Sequence, residues 1–358
     1  MRMKKLMILA VAAIALVACS RTFEHHAVEG TPIGFGTWTE QLTKVRTPGQ
    51  GEFGTGDTFE VYAYKVNGST NNVVFNGDVV TYGTPTWTYT NTRYWDPSAT
   101  SYTFYAVSPS GVVAAANVTP TTGAIAATNV TFNGNDSDIL VANQKVVTPT
   151  GSPATYSTDP VQMQFKHIAS LVDFKVKKHS DLNAATVAIT SFSITNIDNT
   201  GNFAVATGYT TDVLPSVTWT ATGRETFKNN SDDSGKHGVT EVTLPTNVAT
   251  SGNDFLINNL VIMPQSFRSA ANSDSNIQTV SISYTITDAA NNVSTYSSSF
   301  ELKSFDNVDD TDNEDTIIGG WEKGKHYTFV ITINANAIKF TGSIVDWTTE
   351  TGYHYLVN

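Results

Sequence analysis

The 358-residue chain contains a single cysteine, Cys19, so no intramolecular disulfide can form. Cys19 lies beside the apolar N-terminal run, and the rest of the chain has no thiol for a zinc site or a nucleophile. Charged residues make up only 15% of the chain, and 21 basic residues stand against 32 acidic ones. A formal charge of −11 excludes the basic surface that nucleic-acid binding requires, so we expect no nucleic-acid partner.

Catalytic and metal-binding motifs are also missing. The sequence has no Gly-x-Ser-x-Gly elbow, no His-Glu-x-x-His helix and no phosphate loop. The acidic run 306–315 starts like a calcium loop, but the glycine and the final glutamate that such a loop needs are absent, which favours a solvated acidic loop. We therefore expect no catalytic residue, no bound metal and no cofactor.

Residues 1–18 predict a lipoprotein signal peptide. Three basic residues precede an apolar run that is too short to span a bilayer as a mature helix. Leu16-Val17-Ala18-Cys19 matches the bacterial lipobox, in which the cysteine is diacylated and becomes the new N-terminus. We expect a lipid anchor at Cys19 and a processed charge of −14, since three cations leave with the signal. A plain secretory signal is the alternative.

Short alternating or β-branched stretches recur through the chain at a spacing of roughly 8–12 residues, which predicts an all-β sandwich protein. No helix of normal length is predicted, although a short helical turn over 166–170 is an option. The predicted strands span 31–38, 58–64, 73–75, 79–82, 86–89, 102–107, 130–132, 138–142, 161–165, 171–177, 186–197, 202–206, 216–220, 239–244, 255–263, 277–287, 293–303, 326–333 and 337–345.

A stretch rich in Thr, Pro, Gly and Ser at 143–160 predicts a domain boundary near residue 160. The expected division is a leader at 19–46, an N-terminal sandwich domain at 47–160 and a C-terminal sandwich domain at 161–358. Turns are predicted at Asn67-Gly68 and at Asn76-Gly77.

Aromatic residues leave two interpretations open. Trp87, Trp95 and the many tyrosines could stack on sugars, or they could face the core and pair across strands. The alternation of these strands favours the core. His167, between two apolar strands, is expected to be a hydrogen-bonded structural histidine.

A series of short motifs in a fixed order resembles the fimbrillin (FimA/Mfa-like) lipoproteins of the Bacteroidales, over nearly the whole chain. Each motif is weak alone, and their order is specific. The motifs are Gly56-Asp57-Thr58-Phe59-Glu60-Val61-Tyr62, Arg93-Tyr94-Trp95-Asp96-Pro97, Tyr102-Thr103-Phe104-Tyr105-Ala106-Val107-Ser108-Pro109, Asp138-Ile139-Leu140-Val141-Ala142, Val161-Gln162-Met163-Gln164-Phe165-Lys166-His167, Trp321-Glu322-Lys323-Gly324-Lys325 and Val345-Asp346-Trp347.

The resemblance implies two tandem transthyretin-like β-sandwich domains and a role as a type V pilus subunit in adhesion. It implies an outer-membrane lipoprotein precursor, an arginine-specific protease that removes the leader with its first strand, and other pilin subunits as partners in an extracellular fimbrium. On this sequence the cut falls between Arg46 and Thr47, and the removed strand includes Ile33, Phe35 and Trp38. A cut at Arg21 would leave that strand in place.

The strand donated to the next subunit is left open by the sequence. Tyr353, Tyr355 and Val357 alternate near the C-terminus and are candidates, although they also fit an ordinary terminal strand. The stalk, anchor or tip role is open as well. The alternative function is a monomeric, surface-exposed glycan-binding lipoprotein.

Overall fold

The computed structural model describes residues 30–37, 53–112, 118–119, 124–132, 138–142, 144–205, 217–230, 242–307, 318–335 and 338–346. These residues form β-strands, turns and three short 3-10 helices, which confirms the predicted all-β class. Within these ranges, no helix has the length and apolar character needed to span a membrane.

The strands are β1 (Phe35–Thr37), β2 (Thr58–Asn67), β3 (Thr70–Tyr82), β4 (Trp87–Tyr89), β5 (Ser101–Ser108), β6 (Val118–Thr119), β7 (Ala124–Thr131), β8 (Leu140–Ala142), β9 (Lys145–Val147), β10 (Val161–Met163), β11 (Phe165–His167), β12 (Ser170–Lys178), β13 (Thr186–Val205), β14 (Val217–Asn230), β15 (Asp254–Ile262), β16 (Gln265–Ser266), β17 (Thr279–Thr287), β18 (Val293–Glu301), β19 (Asp306–Asn307), β20 (Gly320–Trp321), β21 (Lys325–Ile333) and β22 (Ile338–Asp346). The 3-10 helices span Ser180–Leu182, Ala270–Asn272 and Leu302–Ser304.

The first sheet contains seven described strands in the order β11-β8-β5-β2-β3-β4, with β9 pairing β5 beside β8. β2 and β3 form a hairpin whose turn carries Gly68 at φ +62°, which confirms the turn predicted at Asn67-Gly68. β10 and β1 form a separate two-stranded parallel sheet.

The turn predicted at Asn76-Gly77 is wrong, because β3 runs without interruption through it. Val61 pairs with Asp78 and the next residue of β2 pairs with Asn76, so Gly77 is left out of the ladder at φ +84°. An Asn-Gly pair supplies the positive φ that both a turn and a β-bulge require, and here the bulge uses it.

The remaining large sheets are β15-β12-β21-β22-β19 and β18-β17-β13-β7-β6, the second with β14 also on β13. β13 is one strand of 20 residues where two strands were predicted. The break predicted at 198–201 is wrong, because β13 continues through it with register shifts against β14 between Asp198 and Thr200 and between Thr200 and Gly201, which are bulges in the ladder that do not end the strand. The helical turn considered for 166–170 is wrong, because β11 extends to His167 and β12 begins at Ser170.

The buried apolar side chains fall into two clusters. The smaller one fills the inner face of the first sheet and includes Ile33 and Phe35. The larger one joins the other two large sheets and also takes Tyr62 and Tyr105 from the first sheet. β7 pairs with β13, with Ala126 opposite Ala204, so backbone pairing joins segments on both sides of residue 160. The boundary near residue 160 stays a prediction.

Candidate functional site

Residues 30–37, which we name the leader segment, lie in a groove between two other parts of the chain. Strand β1 pairs in parallel with β10, with Phe35 opposite Val161. On its other side, Pro32 forms an antiparallel bridge with Tyr94. The leader segment therefore occupies the position of an internal strand, with a backbone neighbour on each side.

Backbone hydrogen bonds fix the leader segment to both walls of this groove. They run from Ile33 N to Arg93 O at 2.9 Å, from Trp95 N to Thr31 O at 3.0 Å, and from Val161 N to Gly34 O at 2.8 Å. Loss of the segment would leave these wall groups without their partners, and an unpaired buried backbone group costs about as much as a lost hydrogen bond.

Two side chains of the leader segment enter the core. Ile33 is 1% exposed and Phe35 is 4% exposed. Four rings from strands β2, β3, β4 and β5 surround the Phe35 ring edge-on, at centroid distances of 5.4–6.0 Å. These rings, which we name the aromatic pocket, belong to Phe59, Phe75, Tyr89 and Phe104. Burial of the two side chains stabilises the seated segment by about 1.5–3 kcal/mol each.

The leader segment alternates large and small residues, and the groove uses both. Ile33 and Phe35 point inward, while a Cβ on Gly36 would lie 2.6 Å from the Gln162 side-chain nitrogen. Glycine at position 36 therefore lets β1 approach β10 without moving Gln162. The period of two that predicted a strand at 31–38 also places its apolar residues on one face.

Tyr89 ties the leader segment to the first sheet. Its hydroxyl donates to the Ile33 carbonyl at 2.7 Å and accepts the Arg93 backbone N–H at 3.2 Å. Burial raises the pKa of Tyr89 above its ordinary value. The phenol thus stays protonated at neutral pH and keeps its proton available for the Ile33 carbonyl.

The wall that carries Trp95 is itself fixed by rings and by charge. Trp95 is 6% exposed and stacks on Tyr156 at 4.6 Å with an interplanar angle of 6°. The next residue, Asp96, accepts hydrogen bonds from Lys65 Nζ at 2.7 Å and from the Ser98 hydroxyl at 2.7 Å. These bonds hold the pKa of Asp96 well below its usual range. These contacts fix Trp95 and Asp96 beside the leader segment.

Of the residues predicted to act in export and assembly, the structure places Ile33 and Phe35 in the groove. The others lie outside the described residues and stay predictions: Cys19, Trp38, Arg46, Thr47, Tyr353, Tyr355 and Val357. The acidic run 306–315, predicted to be a solvated loop, lies outside them too, apart from the two residues of β19.

The walls of the groove were not recognised as functional from the sequence. Two of the motifs quoted above hold the leader segment: Arg93-Tyr94-Trp95 through an isolated bridge and its flanking hydrogen bonds, and Val161-Gln162-Met163 as strand β10. Their separation by more than sixty residues hides this relation, since strand alternation reports a face and not a partner.

Trp87 and Trp95 belong to the core, as the alternation favoured. Trp87 packs between Phe53 at 5.1 Å and Phe59 at 4.8 Å. Trp95 is buried and stacks on Tyr156, and Trp87 is partly buried against the same cluster. This geometry gives the glycan-binding alternative no support from its two principal residues.

His167 has the structural partner expected of it, since its Nδ1 lies 3.1 Å from Asp138 Oδ1 and both side chains are buried. Among the residues that the structure describes, no three His, Cys, Asp or Glu side chains cluster as metal ligands would.

Comparison with known proteins gives one extended match. A family model described as fimbrillin-like matches residues 43–347. No curated protein matches the chain. Among solved structures, a fimbrial protein from Bacteroides vulgatus ATCC 8482 is 17% identical, with a TM-score of 0.42 and coverage of 88% of this chain and 99% of that one.

A second solved structure, the C-terminally truncated tip fimbrial protein Mfa3 from Porphyromonas gingivalis, is 9% identical, with a TM-score of 0.37 and coverage of 82% and 95%. With TM-scores below 0.5, these two likenesses carry no weight for function.

Proposed function

The chain belongs to the fimbrillin-like family, and we propose that it is a structural subunit of a type V pilus that polymerises by strand exchange. The precursor is an outer-membrane lipoprotein anchored through Cys19, and the product is an extracellular fimbrium that serves adhesion. One observation carries the strand-exchange step. Residues 31–34 are hydrogen-bonded to both walls of a groove and residues 33 and 35 fill its core, yet the whole segment precedes the family match, which begins at residue 43.

Removal of the leader segment creates an acceptor for another strand. Its loss would uncover the aromatic pocket and free the backbone groups of Arg93, Trp95 and Val161. A strand from another subunit that offers apolar side chains two residues apart would restore both sets of contacts. Because the donor and the groove are different surfaces, the contact is head-to-tail and builds a filament.

The proposed cut lies between Arg46 and Thr47, so the removed segment includes Ile33, Phe35 and Trp38. Residues 19–46 contain three basic and three acidic side chains, so the processed charge of −14 does not change on cleavage. Assembly is therefore controlled by the emptied groove and the lost lipid anchor, and not by net charge.

Digestion of the purified uncut chain with an arginine-specific protease tests this mechanism. N-terminal sequencing should find Thr47 as the new terminus, and SDS-resistant ladders should follow. Arg46→Ala should keep its leader segment and stay monomeric, even if it is cut after Arg21, whereas the matched variant Arg21→Ala should polymerise like the wild type. Ladders formed by Arg46→Ala, or a chain cut after Arg46 that stays monomeric, would refute the mechanism.

The donor strand is proposed to include Tyr353, Tyr355 and Val357. A chain that ends at Trp347 should be cut normally but should stay monomeric, since its groove finds no donor. A synthetic peptide of residues 348–358 should then bind the cut chain and not the uncut one. A truncated chain that still forms ladders would exclude this donor and leave the groove as the acceptor.

For the architecture, we propose two transthyretin-like β-sandwich domains in tandem, at 47–160 and 161–358. The two buried clusters support two domains, and their membership crosses residue 160, since Val161 and Phe165 belong to the smaller cluster and Ile125 and Phe132 to the larger one. The pairing of β7 with β13 adds a backbone connection between segments on the two sides of the proposed boundary.

A further inference from the structure

The hairpin of β17 and β18 ends its sheet with an open edge. β18 pairs with β17 over nine consecutive residues without a register shift, and no other strand in the described ranges pairs with it. Its side chains are largely exposed, Val293 at 63% and Tyr296 at 42%. Among the strands that the structure describes, one long side of this nine-residue strand is therefore unpaired.

Two hydrogen bonds that flank this ladder show which backbone groups of β18 are free. Asp288 N–H donates to Asn292 O at 3.0 Å, and Leu302 N–H donates to Gln278 O at 2.9 Å. Both bonds join even-numbered pairs, so the even-numbered residues of β18 direct their N–H and C=O groups toward β17. The outward groups belong to the odd-numbered residues, which are Val293, Thr295, Ser297, Ser299 and Glu301.

This edge lacks the devices that keep strand edges apart. Natural edges carry lysine, proline or bulges that prevent pairing with another chain. β18 contains no proline, glycine or basic residue, and its one charged residue, Glu301, is the last. By contrast, β14 carries Arg224, Glu225 and Lys228 and pairs with β13 through three register shifts. β18 therefore has no bulge and only one charged residue, at its end, in a chain whose net charge is −11.

We propose that β18 is a self-association edge that pairs antiparallel with β18 of a second copy, about a two-fold axis at Ser297. This register sets Ser297 opposite Ser297, Thr295 opposite Ser299 and Val293 opposite Glu301. Each of these odd-numbered pairs exchanges two outward hydrogen bonds, and between them Tyr296 faces Ser298 and Ser294 faces Phe300 as non-hydrogen-bonded pairs. The contact is isologous and closes after two copies.

Side chains agree with this register. Ser297 and Ser299 already share hydroxyl hydrogen bonds of 3.0 Å with Ser283 and Ser281 on β17. Pairing across the two-fold axis places Ser297 and Ser299 beside the Ser297 and Thr295 hydroxyl groups of the second copy, on the same face of the sheet. Glu301 meets Val293 and not another carboxylate, so no like charges face each other.

A second copy suits this edge better than a foreign peptide does. The edge presents no charge pattern that would select a partner of opposite sign, whereas its own sequence satisfies every facing position. Little side-chain area is buried, so the dimer is weak, with a dissociation constant on the order of micromolar or above. On a fimbrium, the same contact repeated at each subunit would join neighbouring fibres. That consequence rests on the proposed polymer, but the dimer does not.

Sedimentation velocity of the uncut full chain carrying Arg46→Ala, over a concentration series up to several hundred micromolar, tests the edge without strand exchange. A concentration-dependent dimer is expected. Ser297→Lys and Ser297→Glu should each weaken it by about tenfold or more, since identical charges meet at the axis. An equimolar mixture of the two should restore it, because lysine then faces glutamate. Ser191→Lys, the same charge change two strands inside the sheet, is the matched control.

Three results would overturn the proposal: a monomer at every concentration, a dimer that Ser297→Lys leaves intact, or a lysine and glutamate mixture that does not associate. Unfolding temperatures within a few degrees of wild type establish that these exposed-site variants are folded. Because the groove stays filled in the uncut chain, failure here leaves strand exchange untouched, and failure of cleavage leaves the dimer untouched.

Discussion

The leader groove and the outer edge of β18 both offer backbone groups to a strand, but they differ in what else they offer. The groove adds a pocket of four rings and two buried side-chain positions. The β18 edge adds mainly exposed hydroxyl groups and one carboxylate, Glu301, which already accepts hydrogen bonds from Ser269 and Ala270.

The difference separates what sets the direction and register of an added strand from what keeps that strand bound. Backbone pairing alone fixes direction and register, but each net hydrogen bond is worth only about 0.5–1.5 kcal/mol. Apolar side chains two residues apart add the burial energy that makes a strand slow to leave. A permanent joint between subunits therefore requires a groove of the first kind, while an edge of the second kind suits a reversible contact. The following substitutions test this contrast, in descending order of expected effect.

Phe35→Ala should produce the largest loss, about 3–5 kcal/mol in the free energy of unfolding of the uncut chain. The alanine leaves a cavity inside the aromatic pocket, which the walls cannot close. Urea unfolding followed by tryptophan fluorescence measures it. The control is Tyr296→Ala on β18, where an exposed ring is removed and about 0.5 kcal/mol is expected. Equal effects of the two substitutions would show that the leader ring is not part of the core.

Tyr89→Phe should cost about 1–2 kcal/mol, since it leaves the Ile33 carbonyl and the Arg93 N–H without their shared hydroxyl. The cut leader should also dissociate several-fold faster from the groove, measured with a dye on the leader. Tyr296→Phe removes an exposed hydroxyl and should change neither quantity. Unaltered leader release in Tyr89→Phe would contradict the role given to this hydroxyl.

Asp96→Asn should have the smallest effect, about 1 kcal/mol, because the pair with Lys65 is a quarter exposed and screened. The folded pKa of Asp96 is lowered by Lys65 and Ser98, so its contribution is complete above the unfolded carboxyl value of about 3.9. It is lost as the pH falls below that value toward the folded pKa.

The wild type should therefore lose stability between about pH 5 and pH 2 more steeply than Asp96→Asn. Lys65→Met should flatten the same part of the curve, because it removes the first cause of the low pKa. Parallel pH profiles for all three proteins would show that this pair does not support the groove wall.

Much of the fold was predictable because strand formation is a local property. Alternation over 58–64 and 326–333 predicted β2 and β21. The Asn67-Gly68 pair predicted the turn that joins β2 to β3. Two of the failures share a cause. Asn76-Gly77 and the predicted break at 198–201 contain residues typical of turns, and only the neighbouring strand decides whether such residues turn the chain or form a bulge within a ladder.

Of the candidate site, the sequence predicted the leader strand but not the walls of the groove. The leader strand and its inward residues Ile33 and Phe35 follow from a period of two, and their burial agrees with it. The walls at 93–95 and 161–163 could not be derived, since a strand's own sequence does not specify which distant strand it pairs with. The parallel pairing with β10 is likewise a property of the assembled layers.

The sequence by itself determined that this chain is an all-β protein without disulfides, and that residues 31–37 present two apolar side chains on one face. Those are consequences of composition and of the alternation of side chains along a strand. The tertiary structure alone decided that four aromatic rings from four strands converge on Phe35, and that no second described strand pairs with β18. Both depend on contacts between segments far apart in sequence, where packing selects the partner.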